Sequence, residues 1–232
     1  RDYYASRGLG DVYKRQVDGW LHEGKLYLRV VDYKTGRKKF DLSDVLYGMN
    51  LQMLLYLFSL GENGKLLYGE EIVPAGVLYV PARDGVISED GDISDAELEK
   101  KRSKGLRRSG LVLSDPEVIR AMEHADTPKY IPVDFKKNGP AGDALVSAER
   151  LGTLARHIDQ TLCEMASELR RGSIAADPYY AGQQENACIN CDYFDACRFA
   201  DGENGESMRS TPHLPATKVW SVLEGGGEDG EV

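Results

Sequence analysis

No stretch of this chain approaches the roughly 18–20 consecutive apolar residues that a membrane-spanning helix needs. Its first residues carry no hydrophobic signal-peptide region. Cysteine is scarce: four are present, three of them crowded between residues 188 and 197. That distribution argues against a disulfide framework and for a metal or cluster site in a reducing compartment. Excess positive charge is lacking as well. A net charge of -9 excludes a uniformly basic, nonspecific nucleic-acid binder, although it leaves room for a local basic groove. Together these absences predict a soluble, cytoplasmic protein. What is present is a chain of 232 residues with 41% apolar content, enough for a real core in one large domain or two small ones.

Residues 1–16 have no helical or strand period and flow poorly into Val17-Asp18-Gly19-Trp20. Their ending, Asp11-Val12-Tyr13-Lys14-Arg15-Gln16, resembles translated sequencing-adapter sequence. This predicts a non-native leader on a chain cut just before Val17; an ordinary N-terminal arm is the alternative. Val17 to Thr35 reads as a β-hairpin turning at His22-Glu23-Gly24-Lys25. Asp41 to Leu60 reads as one helix, capped by Asp41 or Ser43, apolar nearly all round and stopped by Gly61 and the Asn63-Gly64 turn. Ala75 to Val80 is a second strand between Pro74 and Pro81. Residues 84–108 carry seven acids and then six bases. They form either a solvated excursion containing a helix or, in the basic half, a contact for phosphates. A short helix over Pro116–His124 and a strand near Tyr130–Lys136 follow. Ser147 then opens an amphipathic helix with Leu151, Leu154, Ile158, Leu162, Met165 and Leu169 in one stripe and Gly172 as its stop. The expected organisation is a leader (1–16), a domain over 17–200, and an acidic, largely disordered tail (201–232).

Three groups of residues can carry chemistry. Asp32 and Lys34 stand two apart at the end of Leu26-Tyr-Leu-Arg-Val-Val-Asp-Tyr-Lys, so both project from one side of a strand. Alone they read equally as an ion pair on a strand end. Gln52 and Tyr56 lie at i and i+4, on one face of the following helix. An amide inside an apolar helix must find partners or cost a few kcal/mol, by a structural hydrogen bond or a functional one. Cys188, Cys191 and Cys197 form a C-x2-C-x5-C, one thiolate short of the four ligands that iron–sulfur clusters and structural zinc prefer. Cys163 falls beside the apolar stripe and reads as a packed thiol; His213 offers a Cys3His zinc site as the alternative.

Taken in order, these motifs resemble one family: the C-terminal nuclease domain of the B subunit of AddAB/RexAB-type ATP-dependent helicase/deoxyribonucleases. More broadly they are similar to PD-(D/E)XK nucleases of the RecB and Cas4 kind. Val30-Val31-Asp32-Tyr33-Lys34-Thr35-Gly36 matches the (D/E)XK strand, Gln52-Met53-Leu54-Leu55-Tyr56 the QxxxY helix, and the three cysteines the iron–sulfur staple. The resemblance covers about Val17 to Phe199. It implies an α/β, restriction-endonuclease-like core, a mixed central sheet flanked by helices, with a C-terminal iron–sulfur cysteine segment.

It also implies Mg2+-dependent hydrolysis of DNA in the repair of double-strand breaks, alongside an AddA/RexA-type helicase-nuclease partner. Asp32 and the Tyr33 carbonyl would bind the metal, Lys34 would orient the attacking water, and Gln52 and Tyr56 would position Lys34 and the DNA. Cys188, Cys191 and Cys197 would hold a structural 4Fe–4S cluster whose fourth cysteine lies upstream. The chain also departs from the family. The pattern Gly-x-Ile-Asp-Arg-x-Asp places a ligand Asp three positions before Asp18, where this chain has Arg15. A positive charge there would repel Mg2+, so the polypeptide is expected to be inactive. With no helicase motif present, ATP-driven unwinding is left to a partner or to other sequence. Two alternatives stand beside this reading: a stand-alone Cas4-like exonuclease, and a noncatalytic zinc-containing DNA- or protein-binding module.

Overall fold

The computed structural model describes residues 15–36, 39–82, 93–125, 128–137, 139–203 and 206–225. The proposed leader through residue 14, the acidic stretch 84–92 and the end of the tail from 226 lie outside the described residues. In chain order the elements begin with β1 (Arg15–His22), β2 (Lys25–Lys34), α1 (Leu42–Leu46), α2 (Gln52–Tyr68), β3 (Glu71–Pro81) and α3 (Asp95–Gly105). Next come β4 (Ser109–Leu113), α4 (Pro116–Glu123), β5 (Asp134–Lys136), β6 (Gly139–Ala141), β7 (Leu145–Val146) and α5 (Ala148–Arg171). The chain continues through β8 (Tyr179–Gly182), β9 (Glu185–Asn186), α6 (Phe194–Cys197), β10 (Arg209–Ser210) and α7 (Ala216–Leu223). They divide into two units, residues 1–40 with 52–152 and residues 41–51 with 153–232, where the sequence suggested one domain and a tail.

The first unit is built on a mixed sheet of order β1-β2-β3-β4-β7. The β1/β2 and β3/β4 pairs are antiparallel, and β2/β3 and β4/β7 are parallel. The expected hairpin is present. Glu23 and Gly24 both have positive φ (50° and 73°), as a two-residue turn matching the strand twist requires. That turn fixes the register, pairing Val17 with Val30, Trp20 with Tyr27 and Arg15 with Asp32. One sheet face supplies Val31, Leu78 and Val112 to a core completed by Ile119, Ile131 and Val133, each aliphatic contributing about 1.5–3 kcal/mol by leaving water. Helix α4 begins cleanly because Asp115 accepts from the Glu117 and Val118 amides (2.9 and 3.3 Å) and Pro116 stands at the first helical position.

The single helix expected over Asp41–Leu60 is two helices. Asp41 does cap the first, accepting from the Ser43 amide at 2.8 Å. Gly48 and Asn50 then adopt left-handed conformations (φ 77° and 53°), which ends α1 and starts α2 afresh at Gln52. Helix α2 runs straight through Gly61 and Gly64 to Tyr68, past the residues read as its stop. Gly64 is a packing residue: a Cβ there would lie 2.6 Å from Ile72 Cγ1. Nor is α2 buried all round. Met53, Leu54 and Leu57 are buried, whereas Gln52 and Tyr56 are exposed.

The second unit holds α1, the larger part of α5, the small sheet β10-β8-β9, α6 and α7. His157 on α5 reaches the last carbonyls of α1, Val45 and Leu46, at 3.3 and 3.1 Å. The apolar stripe of α5 is buried at Leu154 and Ile158 but open at Leu162, Met165 and Leu169, and Cys163, expected to pack, is exposed. Gly172 ends α5 in a left-handed conformation, as expected.

Residues 206–225 form structure where a disordered tail was expected. Helix α7 buries Val219 and Trp220 and packs on α1. The Leu214 amide donates to Ser43 Oγ (2.9 Å), whose hydroxyl donates to the Leu214 carbonyl (3.1 Å). His213 bridges Asp41 (2.8 Å) and Glu185 (3.0 Å), one carboxylate on each ring nitrogen. The polar composition concealed one compact apolar anchor, and folding needs only that.

The packing at Gly64 and the His213 clamp are both open to measurement. Gly64→Ala should lower stability by about 1–3 kcal/mol through overpacking, despite alanine's better helix propensity. Gly61→Ala, whose Cβ would meet Pro74 at an ordinary 3.5 Å, should be neutral or stabilising by up to about 1 kcal/mol; urea unfolding distinguishes them. The Glu185 and Asp41 carboxylates raise the His213 pKa above its ordinary 6.5. The clamp's contribution is therefore full below 6.5 and lost as pH rises through the raised value. Hydrogen exchange in residues 211–223 should lose protection across that rise, beyond the intrinsic base-catalysed trend. In His213→Gln that additional loss should vanish.

Candidate active site

Strand β2 lies between β1 and β3, and its alternation decides what each face receives. Leu28, Val30 and Asp32 share one side and are all buried, Asp32 at 2% exposure. A carboxylate so placed costs several kcal/mol unless it is paired. Lys34, two residues on, supplies half of the compensation: its Nζ lies 2.6 Å from Asp32 Oδ2. The same ammonium stands 5.7 Å from the centre of the Tyr79 ring, and Tyr79 is the β3 partner of Asp32. Asp32 Oδ1 has no hydrogen-bond partner among the described residues. A buried anionic oxygen without a partner, beside a fixed cation, is an acceptor prepared for a metal ion or a bound water.

The cross-strand partner of Asp32 on β1 is Arg15, the position that the family pattern reserves for an acid. Directly opposed positions of an antiparallel pair are the closest cross-strand neighbours. Among the described residues no group of three or more His, Cys, Asp or Glu side chains is placed to hold a metal. For Mg2+, then, Asp32 Oδ1 fits as one ligand, and the set is short of a second carboxylate.

Gln52 and Tyr56 meet as the i,i+4 spacing predicts, with the amide donating to the phenol oxygen at 3.3 Å. They lie on α2, which packs against β2 and β3. Because Gln52 is the exposed first residue of that helix, the expectation of a buried amide seeking partners is corrected.

The cysteines are organised by backbone turns. Asn186 Oδ1 accepts from the Cys188 and Ile189 amides (both 3.0 Å), and the Cys191 amide donates to the Cys188 carbonyl (3.2 Å). Cys188 and Cys191 line one open cleft whose lining does not include Cys197. Three thiols so placed do not make up a four-ligand set. The Cys3His alternative loses its histidine, since both His213 nitrogens are engaged.

One pairing is invisible to the motif alone. Asp18, in the family pattern only a non-ligand position, holds Arg29 through its Nε and Nη2, both at 2.8 Å. Arg29 also donates from Nη1 to the Met122 carbonyl (3.0 Å). The two-residue turn at Glu23-Gly24 is enough to pair 18 with 29 once the register is counted out.

A mixed sheet with an Asp-x-Lys on its second strand defines a nuclease-like site, and the comparison with known families agrees. The model of the PD-(D/E)XK nuclease superfamily matches residues 15–198, and the chain belongs to that superfamily. Among curated proteins it is 33% identical over 212 residues to the B subunit of the ATP-dependent helicase/deoxyribonuclease of Clostridium acetobutylicum. It is 34% identical over 213 residues to that of Thermoanaerobacter pseudethanolicus, and 35% identical over 216 to that of Caldanaerobacter subterraneus. Each match covers 90% of this chain and 18% of the relative. The chain thus spans about a fifth of the length of these relatives. Among the described residues, no helix is long and apolar enough to cross a membrane.

The Asp32–Lys34 pair carries a stability signature. Lys34→Met should leave the buried carboxylate unpaired and cost about 1–3 kcal/mol, a discounted figure because Lys34 is one-third exposed. Adding Asp32→Asn should recover most of that loss, and a double-mutant cycle by urea unfolding measures the coupling.

Proposed function

We propose that this chain is the nuclease region of a helicase/deoxyribonuclease B subunit. In this reading it is a Mg2+-dependent DNA exonuclease domain that trims broken duplex ends for recombinational repair, beside an AddA/RexA-type helicase partner. The observation that carries the reading is the buried, half-paired Asp32 next to Lys34, within a chain matched to the superfamily over residues 15–198.

Asp32 Oδ1 and the Tyr33 carbonyl would hold the ion, which when bound lowers the pKa of water and polarises the scissile phosphate. Lys34 keeps the attacking water in place by hydrogen bonding and offsets negative charge developing on phosphate oxygens. Its contact with Asp32 occupies Oδ2 and leaves Oδ1 without a partner among the described residues. Gln52 and Tyr56, already bonded to each other, position Lys34 and the DNA strand. A 4Fe–4S cluster on Cys188, Cys191 and Cys197 would be structural and would draw its fourth ligand from other sequence. The three thiols present do not complete it, and the chemistry requires nothing from it.

Arg15 opposite Asp32 is the obstacle to activity in this chain. The polypeptide as it stands should not cleave linear DNA with Mg2+, whereas Arg15→Asp should confer metal-dependent cleavage that Asp32→Ala then removes. Mg2+-dependent cleavage by the unaltered chain, sensitive to Asp32→Ala, would overturn the role given to position 15. If Arg15→Asp neither cleaves nor binds Mg2+ by calorimetry, Asp32 is not a metal ligand.

A further inference from the structure

The sheet changes character within one step of its pleat. On the face that holds Asp32, the register aligns Val17, Val30, Val77 and Leu111 in one row and Arg15, Asp32, Tyr79 and Ser109 in the next. The first row is aliphatic throughout, and Val30, Val77 and Leu111 are buried. The second row is polar throughout. Arg15 is registered opposite Asp32, Asp32 takes the Lys34 ammonium, and Ser109 Oγ accepts from the Phe40 amide at 2.7 Å. Tyr79 lies between Asp32 and Ser109 and is 6% exposed.

The Tyr79 ring has one neighbour that an aliphatic side chain could not serve. Lys34 stands two residues beyond Asp32 on the same face, at the end of β2, where a lysine ordinarily carries its charge out into water. Here the stem turns back. The ammonium lies 2.6 Å from Asp32 Oδ2 and 5.7 Å from the centre of the Tyr79 ring, and the side chain is 34% exposed. The backbone beneath it is fixed as well, because the Lys34 carbonyl accepts from the Ala82 amide at 2.9 Å. Within about 6 Å of a ring centre, a cation is attracted by the aromatic face. Asp32 is therefore one support for the ammonium and Tyr79 another. The two supports differ in kind. A ring attracts the ammonium through its quadrupole and offers no carboxylate to a metal, so its hold is not spent when Asp32 takes an ion.

We propose that Tyr79 is a positioning residue for Lys34: its ring face holds the ammonium beside Asp32, where hydrolysis needs it. The purpose of that hold rests on the nuclease reading, whereas the hold itself rests on the contact alone. Lysine has a flexible four-carbon stem and a compact charge, so a single bond to one carboxylate oxygen leaves it free to swing about that oxygen. A flat ring on the neighbouring strand, set by the register directly beside Asp32, removes that freedom.

The first test needs no activity. In the unaltered chain carrying isotopically labelled lysine, the Lys34 ε-methylene resonance is identified by its disappearance in Lys34→Met. It should lie upfield of the solvated lysines, as protons over a ring face do, and show a nuclear Overhauser contact to the Tyr79 ring. Tyr79→Leu should return it to the ordinary lysine position, and Tyr79→Phe, which keeps the ring, should hold it upfield. A Lys34 resonance at the ordinary position in the unaltered chain would refute the proposal. The second test measures rate in the Arg15→Asp chain. There Tyr79→Leu should lower kcat on linear DNA roughly 2- to 30-fold, the range of one cation–ring contact, with KM unchanged, and Tyr79→Phe should restore most of the loss. An unchanged kcat, a loss confined to KM, or one that phenylalanine does not restore would each remove the positioning role from the ring. If the Arg15→Asp chain does not cleave at all, the nuclease reading fails, and the lysine resonance still decides whether Tyr79 holds Lys34.

Discussion

Half of one buried carboxylate is left without a partner among the described residues of the first unit. Asp32 is nearly solvent-free, bonded to Lys34 through Oδ2 and to no described residue through Oδ1. A sequence under selection for stability alone would place an aliphatic residue there, continuing Leu28 and Val30 along the same face. Retaining a buried, incompletely paired charge is the kind of local violation that functional sites show. Lys34 limits the cost but cannot abolish it, because the bond it makes occupies one oxygen of two. The open oxygen is thus a consequence of how few partners the strand end provides.

The same hairpin serves both faces of the sheet because a two-residue turn leaves no freedom in the register. With Glu23 and Gly24 in left-handed conformations, each residue of β1 has one partner on β2, and a slip of one position would exchange the faces. Position 15 is thereby set opposite Asp32, and Asp18 opposite Arg29. The first pairing sets position 15 directly across from the half-paired carboxylate. The second fixes Arg29, which Asp18 and the Met122 carbonyl hold between them.

What the sequence made legible follows the range of the interactions involved. The spacing of Asp32 and Lys34, the hairpin, the short helix opening at Pro116, and Gln52 with Tyr56 are local signals between residues a few positions apart, and all are found in the structure. The misreadings arose where a distant contact overrode a local preference. Gly61 and Gly64 looked like helix punctuation, but the approach of Ile72 makes Gly64 a packing residue inside α2. The tail looked disordered because its composition is polar. Beside the buried Trp220 it is held by the Ser43–Leu214 and His213–Asp41 contacts, 171 and 172 residues apart in sequence. Leu162, Met165 and Leu169 have the period of a buried stripe but are open, since periodicity marks a face without naming what covers it.

Arg15 and Arg108 show how one residue type means different things at two places in one unit. Arg15 is registered opposite a buried carboxylate with one oxygen unpartnered among the described residues, and the proposed function takes a positive charge at that position to oppose the ion. Ahead of β4, the Arg108 guanidinium is half-buried, and burial together with the nearby Arg29 charge works against its cationic form. Both conclusions depend on the surroundings, because arginine is cationic at either position.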